Sequence, residues 1–517
     1  MMLRLAGWFA WLMMAALPAS AQDTPLAASA VVDTARPGAA IDRHIYGQFA
    51  EHLGRGIYDG IWVGPDSNIP NIRGYRRDVV DALKRIHVPV IRWPGGCFSE
   101  VYDWRDGIGP RAKRPVRTRM HWADTVDRND FGTHEYLDLM ELLGADAYVS
   151  GNVGSMTPRD MQLWYEYMTA DNDSTLAQER GRNGRAKPWK IKYFGIGNET
   201  WGCGGNMRPE YAADVNARYS AFVDPPASAG LVKVASGASV QGGGDYEAFT
   251  EAMMKHLGQT DALSFHYYAM PMGRPKSEAL GFTEAEYADV LDLARQMEPM
   301  LTRVSAIMDK DDPSRKVPLF VDEWGTWYKL PKDARPGEHH FQQNSIRDAI
   351  VAALTLNIFH RHTDRVKMAN IAQMVNVLQA MMLTDGPKML LTPTYHVFDM
   401  YQPFMGATPY PMSIAAPGYG VDGKAMPMVD GSAARGTDGK LYLALVNVDP
   451  HRAAQLVTNF GGAASGRILT APAMDSHNSF EAPDTVHPVA FSGAIERGRL
   501  TFLLPPNSIA VVAVDGQ

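Results

Sequence analysis

The chain has 517 residues, of which 45% are hydrophobic and 21% are charged, and its formal net charge is -7 at neutral pH. This length allows one large domain and a smaller one, whereas the weak negative charge without a basic stripe excludes a nucleic acid as the expected partner. Cys97 and Cys203 are too few for a disulfide framework in a chain of this size, and their pairing stays open.

The first 21 residues have the pattern of a secretory signal peptide. An almost unbroken apolar stretch covers residues 5–17 after Arg4, and residues 19–21 have the small-x-small form of a cleavage site. That stretch is too short to span a bilayer as a helix, and no later stretch reaches spanning length. We therefore expect a secreted or periplasmic mature chain that begins near Gln22 and has no membrane partner. A retained membrane anchor is the alternative.

Short β-type runs alternate with longer segments of helical period between residues 41 and 395. The predicted strands are 45–50, 88–93, 147–152, 191–197, 232–236, 262–267, 317–322 and 366–371. Helix-like segments cover 76–86, 133–143, 209–223, 246–257, 285–308 and 344–360. Eight such rounds predict an α/β fold, a closed (β/α)8 TIM barrel, because closure pairs every strand edge. An open doubly wound sheet is the alternative, but no glycine-rich phosphate loop follows the first strand.

The pattern changes after about Tyr395, where helical period disappears. Strand-like runs such as 441–448 and 509–514 are separated by clusters of Gly, Pro, Asp and Ser. This predicts an all-β sandwich domain over 396–517, following a catalytic barrel over 41–395. The segment 22–40 is expected to pack on the sandwich.

Two carboxylates stand out among the polar residues at the predicted strand ends, where the sites of such barrels lie. Glu199 and Glu323 each follow an apolar run directly, and a tryptophan follows each within two positions. An Asn-Glu pair taken alone is more often an ordinary loop. Across one barrel mouth, however, two carboxylates serve glycoside hydrolysis: one protonates the leaving oxygen and the other meets the anomeric carbon.

The neighbouring side chains suit a neutral sugar. Hydroxyl groups would be bound by Glu51, Asn198 and Gln373. Aromatic faces are offered by Trp93, Trp201, Tyr268, Trp324 and Trp327, of which about half are expected to be core.

Three cationic or titratable side chains at the strand ends have two interpretations each. Arg92 either braces a carboxylate or forms a plain ion pair. His52 and His266 either orient carboxylates or are satisfied core imidazoles. A divalent metal held by carboxylates with His266 is a further alternative, but no metal-binding motif is present, so no metal and no cofactor are predicted.

Five stretches together resemble glycoside hydrolase family 51, the retaining α-L-arabinofuranosidases, over nearly the whole mature chain. They are IYGQFAEHLGR (45–55), RWPGGCF (92–98), GNE (197–199), DEW (322–324) and AQMVNV (372–377). The resemblance implies that Glu199 is the acid/base and Glu323 the nucleophile. It also implies that Glu51, Asn198, Tyr268 and Gln373 hold the furanose.

Cys97 departs from the pattern of many members, which have Asn after Pro-Gly-Gly. A thiol is a poor hydrogen-bond partner, so this sugar contact and the preferred glycone are in doubt.

The expected substrate is an arabinofuranose-containing oligosaccharide or polysaccharide such as arabinan or arabinoxylan. Two alternatives remain, an endo-acting β-glycanase and a non-catalytic secreted carbohydrate-binding protein. The resemblance also implies a homo-oligomer, since family members commonly form trimers or hexamers.

Overall fold

Eight parallel strands close into a barrel in the computed structural model, which describes residues 24–516 apart from 123, 243 and 244. Numbered one to eight in chain order, the barrel strands are Gly47–Phe49, Val90–Trp93, Asp146–Gly151, Tyr193–Ile196, Val232–Ser239, Ala262–Ala269, Leu319–Thr326 and Val366–Ile371. Strand eight pairs with strand one, which closes the sheet. The predicted fold class is confirmed. The predicted signal peptide, 1–21, lies outside the described residues.

An apolar layer fills the barrel interior below the polar ends of the strands. Each of strands two to eight contributes one buried side chain, namely Val90, Tyr148, Tyr193, Val234, Ala262, Phe320 and Met368. Inward-pointing side chains alternate along a strand with those that face the helices. The barrel interior is therefore a packed core and not a channel at this level.

Ten α-helices lie in the described part of the chain. They are Arg77–Arg85, Thr133–Leu143, Pro158–Thr169, Thr175–Arg182, Pro209–Ser220, Tyr246–Lys255, Glu284–Arg295, Met297–Asp311, Ile346–Arg361 and Pro393–Tyr401. Short 3-10 helices are Arg43–Tyr46, Cys97–Val101, Trp104–Gly107, Arg111–Lys113, Met120–Trp122, Ala227–Ala229, Val240–Gly242 and Gln402–Phe404. None of the described helices combines the length and apolarity needed to cross a membrane.

Several predicted boundaries differ from the structure. The single helix expected over 285–308 is two helices that meet at Gln296, because Pro299 has no N–H to continue the hydrogen-bond ladder of the first helix. Strand seven, expected to end at 322, continues to Thr326. Asp322 and Glu323 interrupt the apolar pattern of this strand, but both side chains are buried. Helices Pro158–Thr169 and Thr175–Arg182 were not predicted.

The C-terminal part of the chain is built from two antiparallel-rich sheets. One has the strand order Met412–Ala415, Leu26–Val32, Ala454–Thr458, Arg499–Leu504 and Ala494–Glu496. The other has the order Thr408–Tyr410, Val429–Arg435, Leu441–Asn447, Ser508–Val514, Ala464–Thr470 and Val489–Ser492. Two-stranded hairpins pair Asn71–Ile72 with Tyr75–Arg76, Arg117–Thr118 with Val126–Asp127, Met382–Asp385 with Lys388–Leu391, and Gly418–Val421 with Lys424–Pro427.

The N-terminal strand Leu26–Val32 belongs to the first of these sheets, where it runs parallel to Ala454–Thr458 and antiparallel to Met412–Ala415. The expected domain boundary at residue 395 falls inside helix Pro393–Tyr401. That helix is buried throughout, so its sequence lacks the polar face that usually reveals a helical period.

Helix Ile346–Arg361 joins the barrel to the β-rich part of the chain. Every residue of the helix except its last is buried, as expected for a helix covered on all sides. Its Asn357 side chain donates to Asp430 at 2.8 Å, and His360 Nδ1 lies 2.8 Å from the Ser432 hydroxyl. Both partners lie on strand Val429–Arg435, so polar contacts fix the helix against the sheet.

Candidate active site

The two carboxylates predicted to be catalytic meet at the C-terminal ends of the barrel strands. One oxygen of Glu199 and one of Glu323 lie within 4.8 Å of each other, and a ring nitrogen of His266 lies within the same distance of both. Glu323 lies within strand seven, whereas Glu199 follows strand four in a turn. Strands from opposite walls therefore bring acids that are distant in sequence to one pit.

Glu323 is held by two donors from neighbouring strands. Arg92 Nη1 donates to one of its carboxylate oxygens at 2.7 Å, and the Tyr268 hydroxyl donates to the other at 2.8 Å. Burial disfavours the charge on Arg92, but Asp322 and Glu323 outweigh burial and raise the pKa of the guanidinium. The cation is thus permanent, and it forms a buried ion pair with the Glu323 side chain. Arg92 braces a buried carboxylate, as one of its two interpretations expected.

His266 bridges three carboxylates. Its Nδ1 lies 2.9 Å from Glu199 Oε1 and 3.6 Å from Glu323 Oε2, while its Nε2 lies 3.1 Å from Asp322 Oδ1. Burial would lower the pKa of this imidazole, but the three carboxylates outweigh burial and raise the pKa to about 10. The protonated form of His266 is therefore favoured; its Nδ1 hydrogen-bonds Glu199, and its Nε2 lies in ion-pair contact with Asp322.

This protonation bears on the metal alternative. Glu199, His266 and Glu323 have the spacing of a metal-binding group. In its protonated form, which the neighbouring carboxylates favour, the His266 imidazole has no lone pair to offer a cation. The set of donors therefore suits proton transfer better than it suits a divalent ion.

Glu199 differs electrostatically from Glu323. Burial raises the pKa of the Glu199 carboxyl group, the hydrogen bond from His266 opposes that rise, and the charge on Glu323 adds to it. The side chain is 16% exposed, compared with 7% for Glu323. An acid whose pKa is raised and whose side chain faces the opening is placed to donate a proton.

The predicted sugar-binding residues surround the two acids. Glu51 Oε1 accepts from the backbone N–H groups of Gly96 and Phe98, both at 3.0 Å, and its Oε2 accepts from Gln373 at 3.0 Å. Burial, followed by the charge on Glu323, raises the pKa of Glu51 to about 7. Asn198 accepts from Arg92 through its side-chain oxygen. These groups form one hydrogen-bonded wall of the pit.

Cys97 is joined to Cys203 by a disulfide bond, a pairing that the sequence left open. The two sulfur atoms lie 3.9 Å and 3.6 Å from Glu199 Oε2. Cys97 is therefore beside the proposed acid, but the group it presents there is a disulfide and not a thiol.

The aromatic residues at the strand ends divide into core and site. Trp93 and Trp324 are almost fully buried, so the structure does not support their offering a face to a sugar. The Trp201 indole donates to the Gly237 carbonyl at 3.2 Å, and its predicted sugar contact stays a prediction. Trp327 is half-buried and packs edge-to-face on Tyr268.

His52 is a buried imidazole whose two ring nitrogens both have partners, which is the second of its two interpretations. It accepts a hydrogen bond from Trp93 through Nε2 at 3.0 Å and contacts Asp127 through Nδ1 at 2.7 Å. His52 therefore ties the end of strand one to the hairpin that contains Asp127, without contacting either carboxylate of the pit.

Asp322 was missed as a site residue. Adjacent residues of a regular strand face opposite sides, so Asp322 and Glu323 should not share one site. The pairing register shifts between Val321 and Trp324, as in a β-bulge. Arg92, His266 and Tyr148 consequently contact Asp322, and the first two outweigh burial to lower the pKa of its carboxyl group.

Glu100 was also missed, although it is only 1% exposed and contacts the backbone of the Asn198-Glu199 turn. No local pattern marks it, because its partners lie on other strands. The available signal was an acidic residue shortly after Pro-Gly-Gly, between the aromatic residues Phe98 and Tyr102.

We expect the substitution His266→Gln to change the pH dependence of the free energy of unfolding. The folded pKa of about 10 lies above the ordinary value of 6.5. The stability from protonated His266 is therefore fully present below pH 6.5 and is lost as the pH rises through about 10. Urea unfolding at a series of pH values across that window should show a steeper loss of stability for the wild type. Exposed His256 provides the control His256→Gln, and identical slopes for all three proteins would contradict a protonated His266.

Two family models match this chain. One, described as an α-L-arabinofuranosidase 1 domain, covers residues 82–276 and contains Glu199. The other, described as an α-L-arabinofuranosidase C-terminal domain, covers residues 322–508 and contains Glu323. Each match thus contains one of the two acids.

Whole-chain comparisons agree with these matches. An intracellular exo-α-L-arabinofuranosidase of Bacteroides ovatus is 47% identical over 92% of this chain and 93% of its own length. The crystal structure of a family 51 arabinofuranosidase from Xanthomonas axonopodis pv. citri is 49% identical, with a TM-score of 0.91 over 95% of this chain and 100% of that one. An α-L-arabinofuranosidase from Thermotoga maritima in complex with arabinose is 28% identical, with a TM-score of 0.82 over 94% and 100% of the two chains.

The prediction of a secreted or periplasmic protein is wrong by this comparison, because the Bacteroides ovatus relative is named an intracellular enzyme. A short apolar N-terminal stretch is a weak indicator of location, since stretches of that length also occur in segments that pack against protein.

The predicted resemblance, in contrast, is confirmed. With 47% identity over nearly the full length of both chains, this chain belongs to the α-L-arabinofuranosidases of glycoside hydrolase family 51.

Proposed function

We propose that the chain is an exo-acting, retaining α-L-arabinofuranosidase that removes terminal arabinofuranosyl residues from arabinan, arabinoxylan or related oligosaccharides. The separation of the two acids carries this proposal: Glu199 and Glu323 have oxygens within 4.8 Å. Retaining glycosidases keep their carboxyl groups about 5 to 5.5 Å apart, whereas inverting enzymes leave room for a water between acid and sugar.

The first step forms a covalent glycosyl-enzyme. A carboxylate oxygen of Glu323 bonds to the anomeric carbon, the glycosidic C–O bond breaks, and Glu199 transfers its proton to the leaving oxygen. Arg92 and Tyr268, which hold Glu323 at 2.7 Å and 2.8 Å, orient the attacking oxygen. The remaining sugar or alcohol leaves with the proton.

The second step hydrolyses this intermediate. Once Glu323 is esterified, its negative charge is gone, and one cause of the raised pKa of Glu199 disappears with it. Glu199 then accepts a proton from water as the water oxygen bonds to the anomeric carbon and the ester bond to Glu323 breaks. Two displacements return the anomeric carbon to its first configuration.

We assign the binding of the furanose to Glu51, Asn198, Tyr268 and Gln373. The Gln373 side-chain oxygen is buried and has no hydrogen-bond partner among the described residues, which leaves it free for a sugar hydroxyl. Cys97 takes part only as a disulfide sulfur beside Glu199. Its contribution to the sugar contact is therefore through shape and not through a thiol proton.

The exo-acting assignment is supported by the name of the Bacteroides ovatus relative, and the assembly as a homo-oligomer stays a prediction from the family. Both carboxylates and their donors are present and in contact, which disfavours a non-catalytic binding protein.

We expect the first arabinose released from an aryl α-L-arabinofuranoside to be the α-anomer. Proton NMR during the first minutes of hydrolysis measures it before mutarotation mixes the anomers. Chromatography of linear arabinan digests should show arabinose and no intermediate oligosaccharides at early times. A first-formed β-anomer would contradict the double displacement, and early oligosaccharides would indicate an endo-acting enzyme.

A further inference from the structure

A buried carboxylate that the mechanism does not use lies behind the proposed acid. Glu100 is the fourth residue of the 3-10 helix Cys97–Val101, which follows barrel strand two. Its Oε2 accepts from the backbone N–H groups of Val153 at 2.8 Å and Gly154 at 2.7 Å, and its Oε1 accepts from the N–H group of Asn198. One side chain thus connects the ends of strands two, three and four.

The backbone that Glu100 contacts is in an unfavourable conformation. Gly197 has a φ of 84° and Glu199 a φ of 41°, so the turn that presents the acid has a non-glycine residue in the left-handed region. This conformation costs an L-residue on the order of 1 kcal/mol or more and persists only where the surroundings impose it. Asn198, whose N–H group Glu100 accepts, lies between these two residues.

Two glycines allow the carboxylate to approach so closely. A Cβ atom at Gly197 would lie 2.5 Å from Val153 and 3.1 Å from Glu100 Oε1, and one at Gly154 would lie 3.1 Å from Glu100 Oε2. Larger residues would therefore push the carboxylate away from the N–H groups that it accepts. The close approach of Glu100 thus depends on glycine in both segments that it contacts, after strand three and after strand four.

The same 3-10 helix makes a second connection to this turn. Its first residue, Cys97, is bonded to Cys203, four residues beyond Glu199. The turn is thus held covalently on one side of Glu199 and by the buried Glu100 carboxylate on the other. Burial raises the pKa of Glu100 to about 7, while the backbone donors and Arg92 oppose that rise.

We propose that Glu100 is a positioning residue, whose carboxylate holds the Asn198-Glu199 turn so that Glu199 reaches the leaving oxygen. The inference rests on the proposed acid/base role of Glu199. Glu100 touches neither substrate nor the reacting atoms, and it acts through the backbone of Asn198. An amide cannot replace it, because one end of a glutamine would direct N–H groups at backbone N–H groups.

The test is the substitution Glu100→Gln, with kinetics on two substrates. For an arabinan oligosaccharide, whose leaving group needs a proton, kcat/KM should fall by about tenfold or more. For an aryl arabinofuranoside with a good leaving group, kcat/KM should stay near the wild-type value while kcat and KM fall together. Added azide, which attacks the intermediate without a general base, should raise the reduced kcat.

The control is Asp312→Asn. Asp312 is another buried carboxylate that accepts backbone N–H groups, those of Lys316 and Val317, at the opposite end of the barrel. Both substrates should respond equally to this change, and azide should have no effect. Where Glu100→Gln does not give folded protein, Glu100→Asp keeps the charge on a shorter side chain and should show the same dependence on the leaving group.

Equal losses on both substrates without an azide response, or wild-type kinetics throughout, would overturn the inference. Glu199→Ala measured in parallel separates the two failures. If Glu199→Ala shows the dependence on the leaving group and neither Glu100 variant does, only the positioning role fails. If Glu199→Ala does not show it, the proposed function itself fails.

Discussion

Glu323→Ala is expected to lower kcat by about 10⁶-fold, the order of loss found when a hydrolase loses its covalent nucleophile. Without the carboxylate, the proposed first displacement loses the oxygen that bonds to the anomeric carbon. The Arg92 and Tyr268 donors would lose the anion that they hold. Initial rates on an aryl arabinofuranoside measure the effect, since a good leaving group removes any dependence on acid catalysis.

Added azide tests whether the loss of activity in Glu323→Ala comes from the missing nucleophile. In the cavity left by the Glu323 side chain, azide should attack the activated substrate in one displacement and give a glycosyl azide of inverted configuration, visible by NMR. The control is Glu338→Ala, which removes a buried carboxylate paired with Arg55 and Arg335 and should leave turnover nearly intact. A Glu323→Ala enzyme that retained wild-type rates would disprove the nucleophile assignment.

Glu199→Ala is expected to lower kcat/KM on arabinan oligosaccharides by about 10³-fold, the usual contribution of a general acid. The first step should be spared for aryl substrates whose leaving groups need no proton. Hydrolysis of the intermediate then becomes slow because no base activates water. A series of aryl arabinofuranosides of different phenol pKa should give a much steeper dependence of kcat/KM on the leaving group than the wild type gives.

Azide again distinguishes the roles of the two acids. With Glu199→Ala it should accelerate turnover and give a glycosyl azide of retained configuration, because Glu323 has already made one displacement. The same product configuration from both variants would mean that the two roles are wrongly assigned. A leaving-group dependence unchanged from wild type would remove Glu199 as the acid.

Local pattern was enough for most of the barrel. The strand over 366–371 has the predicted bounds, as does helix Thr133–Leu143, because apolar periodicity records burial directly. The apolar pattern failed to predict strand bounds where charged side chains are buried. Strand seven continues past Asp322 and Glu323, since Arg92 and His266 compensate their charges inside the barrel. A charged pair that looks like a strand end is thus part of the strand.

The sequence by itself determined the barrel and the β-rich C-terminal region, because each depends on residue types at fixed local spacing. It also singled out Glu199 and Glu323 at predicted strand ends, and the family resemblance supplied their proposed roles. Only the tertiary structure decided that Cys97 bonds to Cys203, that Asp322 joins the site, and that Glu100 holds the backbone of Asn198. Cys97 and Cys203 are 106 residues apart, and Glu100 and Asn198 are 98 apart. Contacts over such separations are set by how the strands close into a barrel, and no local periodicity records them.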